Sequence, residues 1–166
     1  MEIGVAMPFD ISMRLKSVGK LSEGPRIIAE AKEQGLKVGG ELLVSQIKKL
    51  TPVDTGRLRA SVVFLGRGPD KGVLASPVVY SSVMEYGRRP GKFPPPGPMQ
   101  LWVRRKLRIS NQKDIRSIAF LVSRKIARAG IEGRHMFDKG IKAGWPRAKQ
   151  VIENVIKRII TQRLSE

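Results

Sequence analysis

Apolar positions recur at helical spacing over most of the chain and alternate over one short middle stretch. From Pro25, a good first-turn residue, Ile28, Ala31, Gly35, Val38 and Leu42 fall on one face at steps of three and four. This predicts a helix that ends before Thr51-Pro52, because a residue preceding proline avoids the α region. Gly39-Gly40 weaken that helix by about 1 kcal/mol each relative to alanine, and mark either a break or a close contact. Residues 1–24, with Gly4, Pro8, Gly19 and Gly24, read as an arm or a short strand (Phe9–Met13).

Thr51-Pro52-Val53-Asp54-Thr55-Gly56 is a turn by its chemistry. Proline sets one dihedral, Asp and Thr bond the local backbone, and Gly permits positive φ. Pro52, Asp54, Thr55 and Gly56 are therefore the residues expected to fix the fold there. Leu58, Ala60, Val62 and Phe64 then alternate with Arg57, Arg59 and Ser61, a half-buried strand pattern. Gly66–Gly72 reads as a hairpin loop and Val73–Tyr80 as the return strand, with Pro77 pointing to a sheet edge or a bulge.

Ser82–Tyr86 makes one helical turn closed by Gly87. Arg88–Pro98, with Pro94-Pro95-Pro96-Gly97-Pro98, reads as a stiff extended loop that reaches away from the core. A helix restarts over Met99–Leu107. Over Asp114–Ala129, Ile115, Ile118, Ala119, Val122, Ile126 and Ala129 share a face and Arg116, Arg124 and Arg128 lie elsewhere. Phe120 sits on the basic side, as a half-buried flank residue or as a contact with another subunit. A last helix over about Arg147–Leu164, after Trp145-Pro146, carries an apolar stripe from Val151 to Ile160. That stripe is wide enough to pack on two sides, within the fold or against a second chain.

The elements predict an α+β fold: a small antiparallel sheet built on a β-hairpin (about 57–80), packed with a long N-terminal helix and C-terminal helices. They divide into an arm (1–24), an α+β domain (25–146) and a C-terminal helix (147–166).

Composition changes this picture chiefly through charge. The 166 residues hold 32 Lys and Arg against 14 Asp and Glu, net +18. Residues 1–83 carry 12 basic and 8 acidic residues, whereas 84–166 carry 20 and 6. Such a half either solvates helix faces or meets a polyanionic neighbour: nucleic acid, an anionic membrane surface or an acidic protein. The hydrophobic share of 41% is that of a folded chain. The N-terminus shows no secretory pattern. Ile118–Val122, the longest apolar run of the second half, is far short of the roughly 20 residues needed to cross a bilayer.

Catalytic chemistry does not assemble. Cysteine is absent and His135 is the single histidine, which excludes disulfides, thiolate catalysis, cysteine-bound metals and multi-histidine sites. No phosphate loop, zinc-protease helix or calcium loop is present, and Gly66-x-Gly68 precedes a strand, not a helix. Glu30 and Glu33 read as a solvated helix face, and His135 as a loop or cap residue. No catalytic, cofactor or metal site, and no small-molecule substrate, is expected. For nucleic acid, aromatic residues at 5% leave few stacking platforms, and no recognition helix follows a tight turn; backbone contact remains open.

Several segments together resemble a family of tailed-bacteriophage minor tail or tail-completion (neck) proteins. Lys48–Val62, with Thr51-Pro52-Val53-Asp54-Thr55-Gly56-Arg57-Leu58-Arg59-Ala60-Ser61, is similar to the element that closes that family's first helix and starts its hairpin. Val79-Tyr80-Ser81-Ser82-Val83-Met84-Glu85-Tyr86-Gly87 is similar to the element after the return strand. Phe93–Pro96, Leu101–Leu107 and Ala119–Phe137 resemble its later segments, although Arg134-His135-Met136-Phe137 departs from the commoner Arg-Pro-Phe. The resemblance, over residues 35–140, implies a structural virion protein at the head–tail joint, assembled in the host cytoplasm, with a ring-forming homo-oligomer. Its implied partners are other neck or tail proteins (tail terminator, connector or tail tube), with DNA in the tail channel secondary and no membrane. The residues expected to touch partners are Arg88, Arg89, Lys92, Arg104, Arg105 and Phe120. Glu85 is expected to hold a salt bridge, local or between subunits.

Overall fold

Helix α1 (Gly24–Leu50) starts at the Pro25 signal and stops where Thr51-Pro52 requires it to stop. The structure, a computed structural model, describes residues 6–10 and 24–165; the rest of the expected N-terminal arm lies outside the described residues. The buried Thr51 hydroxyl donates to the Ile47 carbonyl at 2.8 Å and so satisfies one of the free acceptors at the helix end. The buried face of α1 is Ala31, Gly35, Leu36, Gly39, Gly40, Leu43, Val44 and Ile47, while Val38, expected on it, is exposed.

Gly39-Gly40 do not break the helix; they admit neighbours. A Cβ on Gly39 would sit 2.4 Å from Ile152 Cγ1, and one on Gly40 would sit 2.4 Å from the Phe64 ring. The neighbour on the Gly39 side is helix α6 (Met136–Leu164), antiparallel to α1: Gly35 meets Ile156, Gly39 meets Ile152, Gly144 meets Leu43 and Gly140 meets Ile47. Small residues at four-residue steps on both helices let the backbones approach closely. Ile152 and Ile156 form a core cluster with Ala31, with Ile159 and Ile160 packed against it, so this part of the wide stripe is covered by α1.

The expected start of the last helix at Arg147 is corrected: α6 begins at Met136 and runs through Pro146. Pro146 lacks an N–H for the Lys142 carbonyl, but it lies on the exposed side. Gly140, Gly144, Ala148, Ile152 and Ile156 continue one packed ridge past it.

Residues 57–61 form a short helix, α2 (Arg57–Ser61), instead of the start of a strand. Gly56, at φ 80°, accepts the Ala60 amide at 2.9 Å, and the Ser61 hydroxyl donates to the Leu58 carbonyl. Leu58 and Val62, both buried, are one helical turn apart as well as an even number of residues apart, so the apolar spacing fits either structure. The hairpin is accordingly shorter than 57–80, made of β2 (Val63–Gly66) and β3 (Lys71–Ala75) in register from Val63↔Ala75 to Gly66↔Gly72.

A third strand, β1 (Ala6–Asp10), pairs antiparallel with β3 from Ala6↔Ala75 to Asp10↔Lys71, giving the order β1-β3-β2. It overlaps the strand expected over Phe9–Met13 at Phe9 and Asp10, and residues 11–13 of that expectation lie outside the described residues. Pro8 is accommodated because β1 is an edge, and Pro77 falls beyond the end of the central strand. One compact unit comprises residues up to Ser81 together with His135 onward; the other is Ser82–Arg134.

Candidate interaction site on the basic unit

Residues 82–134 carry 13 Lys and Arg against three Asp and Glu, a net +10. One of the three acids, Glu85, is fully buried. No buried side-chain nitrogen or oxygen of the described residues lacks a hydrogen-bond partner, so its carboxylate is satisfied within the chain. What this unit presents to solvent is therefore almost uniformly cationic.

Its frame is a helix pair. Helix α3 (Ser81–Tyr86) leads through Gly87 into the two-residue strand β4 (Gly87–Arg88). Helix α4 (Pro96–Leu107) starts three residues before the expected Met99, because proline in a first turn forfeits no hydrogen bond. Helix α5 (Gln112–Ala129) is capped by the Asn111 side chain, which accepts the Lys113 amide at 3.0 Å. The two helices pack through Val103, Ile115 and Ala119, flanked by Met99, Trp102, Ile109 and Ile118. Strand β5 (Ile131–Glu132) returns antiparallel to β4, with Arg88 opposite Ile131.

That return fixes the proline loop, which folds back on α5 and does not reach away as a free arm. The Gly91 amide donates to the Ala127 carbonyl at 2.8 Å. Gly130, at φ 76° and ψ −161°, lies so close that a Cβ there would come within 2.2 Å of the Arg88 carbonyl oxygen. The Arg88 guanidinium donates to the Lys92 carbonyl. One residue further, Phe93 stacks on Phe120 with ring centroids 6.0 Å apart and planes 23° apart. Even so paired, the two residues remain 54% and 56% exposed.

Of the residues expected to meet partners, the structure brings together Arg88, Lys92 and Phe120, through the loop's attachment to α5. Arg89 is exposed in the same loop, and Arg104 and Arg105 are exposed on the last turn of α4, a separate element. Reading the sequence missed Phe93 as a site residue, and missed that Arg116, Phe120, Arg124 and Arg128 follow each other at four-residue steps, forming one ridge of α5. The ridge could have been found by counting in fours from Phe120. The pairing of Phe93 with Phe120 carries no local signal.

The turn residues Pro52, Asp54, Thr55 and Gly56 belong to the other unit, between α1 and α2. Glu85, expected to hold a salt bridge, is fully buried. His135, exposed, occupies the N-cap position of α6 at φ 53°, with no side-chain capping hydrogen bond. Among the described residues, no group of three His, Asp or Glu side chains is placed to hold a metal ion, and no helix is long and apolar enough to cross a membrane.

Neither the curated proteins nor the solved structures give a match. One family does, over residues 15–87, a span that includes Lys48–Val62 and Val79–Gly87 but not the later segments: this stretch is similar to the HK97-gp10-like family, described as "Bacteriophage HK97-gp10, putative tail-component".

Proposed function

We propose that this chain is a neck or tail-completion component of a tailed bacteriophage, acting at the head–tail joint by binding other virion proteins. The observation that carries this reading is the basic unit that follows the tail-component-like segment in sequence: a cationic loop fixed to a helix ridge, with exposed aromatic rings. Arg88, Arg89, Lys92, Arg104, Arg105 and Phe120 are the contacts to a neighbouring tail terminator, connector or tube protein. Arg side chains suit that role because each offers a planar fork of donors matched to a carboxylate. The chain works as a ring of copies in the virion, built in the host cytoplasm. Pro52, Asp54, Thr55 and Gly56 serve the fold and not the contact.

Removing the gene from the phage and viewing the lysate by electron microscopy tests this reading. Unjoined heads and unfinished tails are expected, restored by the wild-type chain and not by an R88E/R89E/K92E variant. Normal joined particles without the gene would refute it. The charge also supports a second reading, a nucleic-acid accessory protein. That reading expects duplex DNA binding with a steep salt slope and no association with tail proteins.

A further inference from the structure

We infer that the Phe93–Phe120 pair is the anchor of a docking site for an acidic protein segment that carries one large apolar side chain. The inference rests on the reading above and names the chemistry of the partner. Both rings are more than half exposed although each already covers the other. On α5, Arg116 and Arg124 stand one turn to either side of Phe120, and Arg128 one turn further. Lys92 precedes Phe93, and Arg88 is held against the Lys92 carbonyl. No Asp or Glu occurs between Tyr86 and Lys113 or between Ile115 and Ile131. The site is thus an apolar centre in a cationic surround, and its complement is an apolar anchor among carboxylates.

The site is also pre-organised. The Gly91–Ala127 hydrogen bond, the close approach of Gly130 to the Arg88 carbonyl and the prolines after Phe93 hold the loop before any partner arrives. Binding then spends little free energy on ordering it. A second copy of this chain is a poor occupant, since each copy brings the same net +10 on this unit. Nucleic acid offers the charge but no partner for the exposed Leu101, Leu107 and Leu121 of the same unit, whereas a protein surface offers both.

The test is fluorescence anisotropy on the full chain with three labelled probes: an acidic peptide with one central Phe, the same peptide with Ala at that place, and a single-stranded DNA. The Phe peptide is expected to bind about tenfold tighter than the Ala peptide, the effect of burying one aromatic side chain. Phe93→Ala and Phe120→Ala each bring that ratio near one while leaving salt-sensitive residual binding, and Phe120→Leu retains it. Arg124→Glu weakens both peptides. Melting curves verify folding, and should an alanine variant not fold, the leucine and Arg124→Glu variants still decide.

A ratio near one in the wild-type chain overturns the proposal. So does a ratio unchanged by both alanine variants, or DNA binding that depends on the two rings more strongly than peptide binding does. A failed peptide test with the unjoined-head phenotype intact removes the docking site and leaves the joint assignment standing. The converse removes the assignment and leaves the site.

Discussion

At the residue scale, two glycines separate the cost of a backbone conformation from the cost of lost space. Gly56 has φ 80° and ψ −11°, and a Cβ there would meet nothing within 4 Å. Gly56→Ala should therefore cost only the left-handed penalty, about 1–2 kcal/mol, and Gly56→Asn less, since Asn tolerates that region. Gly130 differs twice over. Its φ 76° and ψ −161° belong to a region that only glycine occupies comfortably, and the Arg88 carbonyl stands 2.2 Å from where a Cβ would be. Gly130→Ala should cost about 3 kcal/mol or lift residues 88–91 off α5. Urea unfolding measures the first outcome. Hydrogen exchange at the Gly91 amide, now bonded to Ala127, measures the second. A Gly130→Ala chain as stable as Gly56→Ala, with Gly91 still protected, would contradict the close approach.

At the element scale, the α1–α6 pair explains both what was legible in the sequence and what was not. The ends of α1 are written locally, in Pro25 and in Thr51-Pro52. The span of α6 is not, because Pro146 is a local stop signal and only packing against α1 overrides it. The stripe Gly140, Gly144, Ala148, Ile152, Ile156 carries that packing, but it becomes readable only once Gly35 and Gly39 are known to face it. Likewise Leu58 and Val62 fit a strand and a helical turn equally well, and the Gly56 carbonyl decides for the helix. The candidate site divides the same way: its cations are visible in the composition of the loop, while Phe93 and Phe120 meet only through the β4–β5 return.

Two outcomes follow for the helix pair. Gly140→Ala would place a Cβ 2.9 Å from Ile47 Cα and should destabilise by about 1–3 kcal/mol, the range for overfilling a close-packed contact. Pro146→Ala restores an N–H on an exposed face and should stabilise by about 1–2 kcal/mol, less than the full proline penalty because the surrounding helix has already adapted to it. Chemical denaturation of both variants checks the pair. Destabilisation by Pro146→Ala would mean that the proline shapes α6 in a way the α1 contact needs.

At the scale of the whole molecule, charge is the dominant feature, and it acts on stability before any partner arrives. A net +18 repels itself in the folded state more than in an expanded chain. Exposed pairs such as Arg26–Glu30 at 3.2 Å and Lys142–Asp138 at 2.9 Å offset little of this, since solvent screens them and such pairs contribute about 0–1 kcal/mol. Salt should therefore stabilise the protein, the reverse of what a fold held by surface ion pairs would show. Between about 20 mM and 0.5 M NaCl the screening length falls from roughly 20 Å to about 4 Å, and the melting temperature should rise by several degrees. The effect should also be uneven. Residues 82–134 hold +10 of the charge in under a third of the chain, so hydrogen exchange should slow with salt mainly there and change least along the α1–α6 pair. Sulfate matched to chloride in ionic strength should stabilise further only if the Arg ridge of α5 and the proline loop bind an anion as a site; equal melting temperatures in the two salts would mean that they act as diffuse charge. A melting temperature that falls with NaCl would contradict self-repulsion altogether, and would require that the cations of the basic unit are already neutralised by carboxylates within the chain.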